Sequence, residues 1–339
     1  MYLFEFSGED PALARSELRA LVEAYGCEWK VVREHASGIL LEGVGRIAPA
    51  LVKRLALTRR VAKLACEAPV GRIDLLEFKV GKKRFAVVPR KVEPITYSMH
   101  NAVVGLGASI LAKNKGSKVD LGNPQVRVHL FGSRDRLYAT TEVREVDRKS
   151  TDDRAPKLRP IQSPVSMHPR FCRAMVNLAR TKPKGVVLDP FCGTGGTLLE
   201  ASEMGMRAYG IDIEEKMVFA SKENLRFFGL EGSVAQGDST MLAHALMAMH
   251  VKEVDAIVSD LPYGRSTTLA GKTQRELVLQ FAVQARETLR SGGFMVLCTN
   301  DESTLANAIS RTGLRVVERF ERRVHRSLTR YIFVINKSN

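Results

Sequence analysis

The feature that most constrains this chain is the stretch Val186-Val187-Leu188-Asp189-Pro190-Phe191-Cys192-Gly193-Thr194-Gly195-Gly196-Thr197. An apolar run of strand type ends at an acid, a tight glycine turn follows, and Thr197-Leu198-Leu199-Glu200-Ala201 opens a helix. Strand, glycine-rich turn and helix in that order begin an alternating α/β domain that cradles a nucleotide. Glycine lets the backbone approach a ligand because no Cβ stands in the way. A phosphate-binding loop is excluded, since no Gly-Lys-Ser/Thr follows, and the glycines run G-T-G-G, not G-x-G-x-x-G.

Acids recur downstream at the same kind of place. Ala208-Tyr209-Gly210-Ile211-Asp212 reads as a second strand, residues 232–238 as a third ending in Asp238, and residues 254–260 as a fourth ending in Asp260. One acid after a strand can be a helix cap. Four in succession behind a glycine turn describe the ligand-binding edge of a doubly wound sheet. An acid at the end of the second strand suits the two hydroxyls of a ribose. A helix is expected over residues 169–179, another over 273–290 ended by Ser291-Gly292-Gly293, a fifth strand over 294–299 and a helix over 302–311. Residues 314–321 and 330–335 form an antiparallel pair. The arginines there (Arg322, Arg323, Arg326, Arg330) are either an RNA contact or a charged guard on an exposed sheet edge.

A chain of 339 residues holds two or three domains. Its net charge is +15, with 26 basic against 17 acidic residues in the first 150 and 26 against 20 in the remainder. A positive excess on both halves points to a polyanion, nucleic acid first; a basic protein without such a partner is the alternative. Cys27, Cys66, Cys172, Cys192 and Cys298 include no C-x-x-C pair. They read as reduced thiols of an intracellular protein, with neither a disulfide frame nor a metal site. No apolar run approaches about 18 residues, so no membrane span is expected. The first six residues read as a strand and not as a signal peptide, which places the protein in the cytoplasm.

In the first half, residues 1–6 are a strand, and Asp10-Pro11 opens a helix to residue 24. Residues 30–33 and 38–41 are short strands, and 47–65 are expected to be one helix carrying Lys53, Arg54, Arg59, Arg60 and Lys63. Residues 78–80 and 84–88 read as strands joined by the basic turn Gly81-Lys82-Lys83. A helix over 100–112 follows, then a turn with Lys113, Lys115 and Lys118. The end of Val119-Asp120-Leu121-Gly122-Asn123-Pro124-Gln125-Val126-Arg127-Val128-His129-Leu130 alternates as a strand, paired with 136–141. Residues 144–165, rich in Arg, Lys, Asp, Ser and Pro and without an apolar period, read as a positive linker; Arg148, Lys149, Arg154, Lys157 and Arg159 in it are candidate RNA contacts.

The basic strand, the helix and the VDLGNPQVRVHL stretch resemble a THUMP domain, the RNA-binding module of tRNA-modifying enzymes. The resemblance spans residues 51–147 behind an N-terminal α+β (ferredoxin-like) part over 1–50, and implies that Lys82, Lys83, Lys113, Lys115, Lys118 and Arg127 contact RNA. Phosphate contacts of this kind position without reading sequence. After a linker over 148–165, residues 166–339 resemble a class I S-adenosylmethionine-dependent methyltransferase, with a Rossmann-like seven-stranded sheet. That implies a cofactor site of Asp189, Pro190, Phe191, Cys192, Gly193, Thr194, Gly195, Asp212, Ile213, Gly237, Asp238, Asp260 and His168. Asp212 then takes the ribose hydroxyls and Asp238 the adenine amino group.

Asp260-Leu261-Pro262-Tyr263 resembles the [D/N/S]-P-P-[Y/F/W] motif of amino-methyltransferases, enzymes that methylate an exocyclic nitrogen. An aromatic amine is a poor nucleophile because its lone pair is delocalised into the ring. The Asp260 carboxylate and the Leu261 carbonyl can accept its N–H groups and aim the nitrogen at the methyl donor, Asp260 can take up the proton, and Tyr263 can stack on an extruded base. Leu261 stands where the family has its first proline, which leaves the carbonyl but a less rigid turn. Residues 264–272, small, polar and without a period, read as a loop that can close on the substrate, with Arg265 expected near a phosphate or the base.

The whole chain is similar to the archaeal tRNA (guanine(10)-N2)-methyltransferases. This implies an enzyme that transfers methyl from S-adenosylmethionine to N2 of guanosine 10, with tRNA as partner and, in some relatives, a small zinc-binding activator subunit. Another tRNA or rRNA guanosine is the nearest alternative. A DNA adenine amino-methyltransferase shares the clamp logic, but the THUMP-like region argues against DNA. An RNA-binding protein with an inactive cofactor domain is opposed by the intact acids.

Overall fold

Residues 1–163, 166–262, 271–325 and 328–338 are described by the computed structural model of the chain. They group into two units: Met1–Arg15, Cys27–Val52 and Leu57–Val146 form one, and Ser16–Gly26, Lys53–Ala56 and Asp147–Asn339 the other.

The first unit holds strands β1 (Tyr2–Phe6), β2 (Lys30–His35), β3 (Gly38–Glu42), β4 (Thr58–Lys63), β5 (Cys66–Pro69), β6 (Arg84–Lys91), β7 (Lys118–Val119), β8 (Val126–Gly132), β9 (Arg136–Thr140) and β10 (Glu142–Glu145). Helix α1 (Pro11–Ala24) begins in this unit and ends in the other, α2 (Ala48–Arg54) reaches its last turn in the other, and α3 (Met99–Lys113) lies wholly in the first. Two five-stranded sheets result, ordered β10-β4-β1-β3-β2 and β5-β9-β8-β6-β7. Leu3, Leu40 and Ala62 from one sheet pack with Val92, Phe131 and Tyr138, which come from or follow strands of the other. The helix expected over 47–65 is shorter: α2 stops at Arg54, and Thr58–Lys63 becomes β4, bonded to both β1 and β10. Leu57, Thr58, Val61 and Ala62 bury their side chains, and between β1 and β10 the backbone of β4 finds partners on both sides. Residues 78–80 are not a strand either. Asn114 bonds the Phe78 carbonyl through Nδ2 (2.9 Å) and accepts from Val80 N through Oδ1 (2.9 Å), holding Phe78 and Val80 against the core under α3.

The second unit contains α4 (Arg148–Asp152), α5 (Pro169–Leu178), β11 (Val186–Asp189), α6 (Gly196–Glu203), β12 (Arg207–Asp212), α7 (Glu215–Phe227), β13 (Ser233–Gln236), α8 (Leu242–Ala248), β14 (Val254–Asp260), α9 (Gln274–Thr288), β15 (Leu289–Thr299), α10 (Glu302–Ser310), β16 (Arg315–His325) and β17 (Leu328–Asn336). Its seven strands are ordered β13-β12-β11-β14-β15-β17-β16. The first five pair in parallel, and β17 runs antiparallel between β15 and β16. The expected seven-stranded Rossmann-like sheet is present. The glycines after α9 do not end it: the helix stops at Thr288, and β15 runs from Leu289 through Gly292-Gly293.

Part of the basic stretch over 144–165 is built into this unit. Arg154 and Arg159 retain 6% and 2% of their exposure, so neither faces RNA as expected. Arg154 makes a two-pronged pair with Glu200 (2.7 and 3.0 Å), which also takes Arg173 at 2.9 Å. Arg173 donates in turn to the carbonyls of Arg54 (2.9 Å) and Lys53 (2.6 Å). Arg54 donates to Asn177 Oδ1 and Thr181 O, and Glu17 Oε1 accepts from Ala56 N and Asn177 Nδ2. Residues far apart in sequence thus satisfy one another in a buried polar network, where every charge needs a partner.

Candidate active site

The row of acids lies at the C-terminal ends of adjacent parallel strands. Asp189 ends β11, Asp212 ends β12, Asp260 ends β14, and Asp238 follows β13 by two residues. Sequence order and sheet order differ, so β14 lies beside β11 and brings Asp260 next in the row to Asp189.

The glycine turn is held from below. Gly193 and Gly195 have φ of 51° and 84°, and a Cβ on Gly195 would meet Ser221 Oγ at 2.9 Å. Ser221 Oγ donates to the Gly193 carbonyl (2.9 Å) and Asn224 Nδ2 to the Thr194 carbonyl (2.9 Å), both from α7. Thr194 Oγ1 lies 3.0 Å from Ser166 Oγ and accepts from Arg159 at 3.5 Å. A Cβ on Gly193 would meet nothing within 4 Å, so the loop is open on that face, as a ligand cradle requires. Pro190, Cys192 and Thr194 are buried, and Phe191 packs edge-on against Phe281 at 5.2 Å.

Each acid has its own surroundings. Asp189 is buried, and its Oδ1 accepts from Ser259 Oγ (2.6 Å) and Phe191 N (3.1 Å). Burial raises its carboxyl to about 7 against those bonds. Asp212 accepts from Gly193 N (2.8 Å) through Oδ2 and from Glu214 N (3.0 Å) through Oδ1. Burial also raises Asp212, and the backbone bonds oppose it. It stays partly exposed and keeps lone pairs that hydroxyl groups can use. Asp238 Oδ1 accepts from Thr240 N (2.8 Å) and Oγ1 (2.7 Å), and Oδ2 pairs with Lys272 at 2.9 Å. Burial pushes the Asp238 carboxyl up, but the bonds to Lys272 and Thr240 outweigh it and hold it below the usual range. Asp260 is raised to about 6 by burial, with the Arg330 guanidinium opposing the rise.

Gly237 N donates to the Asp212 carbonyl (3.0 Å), which ties that turn to the end of β12, and the Ile213 carbonyl accepts from Gln236 Nε2 (3.0 Å). Leu261 is buried and its N–H donates to the Cys298 carbonyl (2.8 Å); Pro262 is partly exposed. Tyr263 and Arg265 lie outside the described residues. His168 caps α5, its Nδ1 accepting from Arg170 N at 3.3 Å, and its Nε2 is 3.8 Å from Asp152.

In the first unit Lys82, Lys83, Lys115, Lys118 and Arg127 are exposed. Lys118 N donates to the Lys83 carbonyl at 3.4 Å, and a Cβ on Gly116 would lie 3.3 Å from Lys82 Cγ, so the two lysine turns adjoin. Lys113 differs: it pairs with Glu77 at 3.0 Å and donates to the Asp74 carbonyl. The residues that sequence reasoning did not assign to the site are Ser259, Thr240, Lys272 and, as a partner of Asp260, Arg330. Only Arg330 carried a signal: an antiparallel last pair returns its turn to the edge where the parallel strands end.

A seven-stranded sheet with one antiparallel strand, a glycine cradle and acids along the carboxyl ends defines a methyltransferase of the class I type. Residues 156–332 match the family described as RMKL-like, methyltransferase domain. The tRNA (guanine(10)-N2)-dimethyltransferase of Methanothermobacter thermautotrophicus is 31% identical over 338 residues, covering 98% of each chain. That of Pyrococcus abyssi is 32% identical and covers 99% of each. The chain belongs to the tRNA (guanine(10)-N2)-dimethyltransferase family. Among solved structures it is similar in fold to TrmN from Thermus thermophilus, with a TM-score of 0.56, 21% identity and 99% of each chain covered. It is also similar to SMU.472, solved in complex with SAH, with a TM-score of 0.50, 14% identity, and 98% and 97% covered. No described helix is long and apolar enough to cross a membrane.

Proposed function

We propose that the chain transfers methyl groups from S-adenosylmethionine to the exocyclic N2 of guanosine 10 in tRNA, giving N2-methyl- and N2,N2-dimethylguanosine. The observation that carries the reading is Asp260, a largely desolvated carboxylate at the end of β14 in the same row as an open glycine cradle. The glycine turn from Pro190 to Gly195 holds the amino-acid part of the cofactor. Asp212 receives the ribose hydroxyls, Asp238 the adenine amino group, and Ile213 and Gly237 border the ring. Asp189 acts from beneath, by fixing Phe191 and Ser259. When bound, the cofactor supplies a sulfonium-activated methyl group, so the protein's own work is mostly positioning.

Asp260 and the Leu261 carbonyl accept the amine N–H groups and localise the nitrogen lone pair; Asp260 then takes up the proton released as the N–C bond forms. Tyr263 and Arg265 complete the base site in this reading. The lysine turns of the first unit, with Arg127, serve as the THUMP-type grip on tRNA phosphates.

The test is transfer of labelled methyl to unmodified tRNA transcripts, with nucleoside analysis, for the chain alone and with a small zinc-binding activator. Label in N2-methylated guanosine that vanishes when guanosine 10 is replaced is the expected result. Label in another nucleoside, or label that survives the replacement, overturns the base or the position.

A further inference from the structure

The arginines of the last hairpin are open to two sequence readings, an RNA contact or a guard on an exposed edge, and the second does not fit Arg330, whose side chain is mostly covered. Because β17 runs antiparallel to the parallel strands, its first residues return to the edge where those strands end. The register is explicit: Asp260 pairs with Cys298, Cys298 with Ile332 and Thr299 with Tyr331, so Arg330 lies one residue further along. Its guanidinium reaches Asp260 Oδ2 at 3.0 Å, and the two side chains keep only 13% and 24% of their exposure. Asp260 Oδ1 is buried and has no hydrogen-bond partner of ordinary length among the described residues, while the Cys298 thiol beside the carboxylate bonds it weakly and, like Arg330, favours its ionised form. Opposite Arg330 on β16 stands Arg322, its guanidinium carbon 3.1 Å from the centre of the Phe171 ring. The thiols near Asp260, Cys298 on β15 and Cys172 on α5, are both pushed upward by burial, Cys172 to about 12, and are neutral. Arg330 is therefore a cation placed directly on a carboxylate whose other oxygen is buried, and among the described residues it is the charge that opposes the rise of the Asp260 carboxyl.

We propose that Arg330 is a positioning residue for methyl transfer, which through its bond to Oδ2 orients the Asp260 carboxylate toward the amino group of the target base and supplies its counter-charge. This rests on the reading of Asp260 as the amino clamp. An ionised carboxylate out of water is costly unless a cation is bonded to it. A guanidinium N–H on Oδ2 restrains rotation of the carboxylate and leaves that oxygen a second lone pair for the incoming amine. Burial lifts the Asp260 carboxyl to about 6 even with Arg330 present, so without the arginine it titrates higher and holds its proton into the working range.

The test compares Arg330→Gln, Arg330→Lys and Asp260→Ala in single-turnover transfer to tRNA across pH, beside cofactor binding by calorimetry and thermal melting. Arg330→Gln is expected to lower the rate at saturating tRNA by roughly tenfold to a hundredfold. It is also expected to move the acid limb of the profile to higher pH and to leave cofactor affinity within about twofold. Arg330→Lys, which keeps the charge and loses the planar fork, is expected to recover part of the rate and most of the pH profile. It also carries the test if the glutamine variant melts below the assay temperature. Wild-type rate and pH profile in Arg330→Gln, or a loss confined to KM for tRNA, overturns the proposal while an inactive Asp260→Ala leaves the clamp standing. An active Asp260→Ala removes the clamp and the proposal with it.

Discussion

The four acids fall into an inner and an outer pair. Asp189 and Asp260 end neighbouring central strands, and burial raises both carboxyls, to about 7 and about 6. Asp212 and Asp238 belong to the two strands on the other side of β11, and both of their oxygens are already bonded, by backbone N–H groups in one case and by Lys272 and Thr240 in the other. The inner pair is placed where a change of protonation has consequences. In the outer pair burial raises Asp212 less, against its backbone bonds, and Asp238 is held low, so both present acceptors pinned by bonds already made. The same residue type at the same kind of strand end therefore does different work according to what covers it.

The largest effect expected from breaking this division is at Asp260. Asp260→Ala should lower transfer by roughly a thousandfold or more while cofactor affinity barely moves; calorimetry that shows lost cofactor binding would instead put Asp260 in the outer class. Next, Asp212→Ala or Asp238→Ala should weaken S-adenosylmethionine binding by roughly tenfold to a hundredfold and spare the rate at saturating cofactor. A collapse of that saturated rate would erase the distinction between the pairs.

Asp189 gives a test through stability. Its folded carboxyl is raised above its unfolded value of 3.8, so the folded chain binds more protons between those values, and stability falls as pH rises from about 4 to about 7. Asp189→Asn lacks this titration, so the melting temperature of the wild type should fall relative to the variant over that window, with an upper scale on the order of 4 kcal/mol. Parallel melting curves across pH would show that Asp189 is ionised throughout.

The smallest effect per residue lies outside the acid row. Replacing Lys82, Lys83, Lys115 and Lys118 singly should weaken tRNA binding and flatten its salt dependence by about one unit of slope for each phosphate that is no longer neutralised. Lys113, paired with Glu77, should contribute less. Equal slopes for all five variants would mean that the ion pair opens when RNA binds.

Local pattern alone identifies the glycine turn, the strands that end in acids and the antiparallel last pair, because a period of two, a glycine at positive φ and an acid after an apolar run are properties of neighbouring residues. It also places Asp260-Leu261-Pro262 at the end of a strand. Whether a charge is covered depends on residues distant in the chain. The basic stretch over 144–165 shows this: nothing near Arg154 or Arg159 announces that Glu200 or Thr194 will bury them. The same limit applies to 58–63, whose strand state depends on lying between β1 and β10. Arg330 is the sharpest case. Its type and its strand are legible in sequence, but its bond to Asp260, seventy residues away, exists only because β17 folds back beside β15 and returns its first residues to the edge where β14 ends. Desolvation and charge pairing are set by three-dimensional neighbours, so the chemistry of the acids was decided by the tertiary structure, while their order along the chain was already in the sequence.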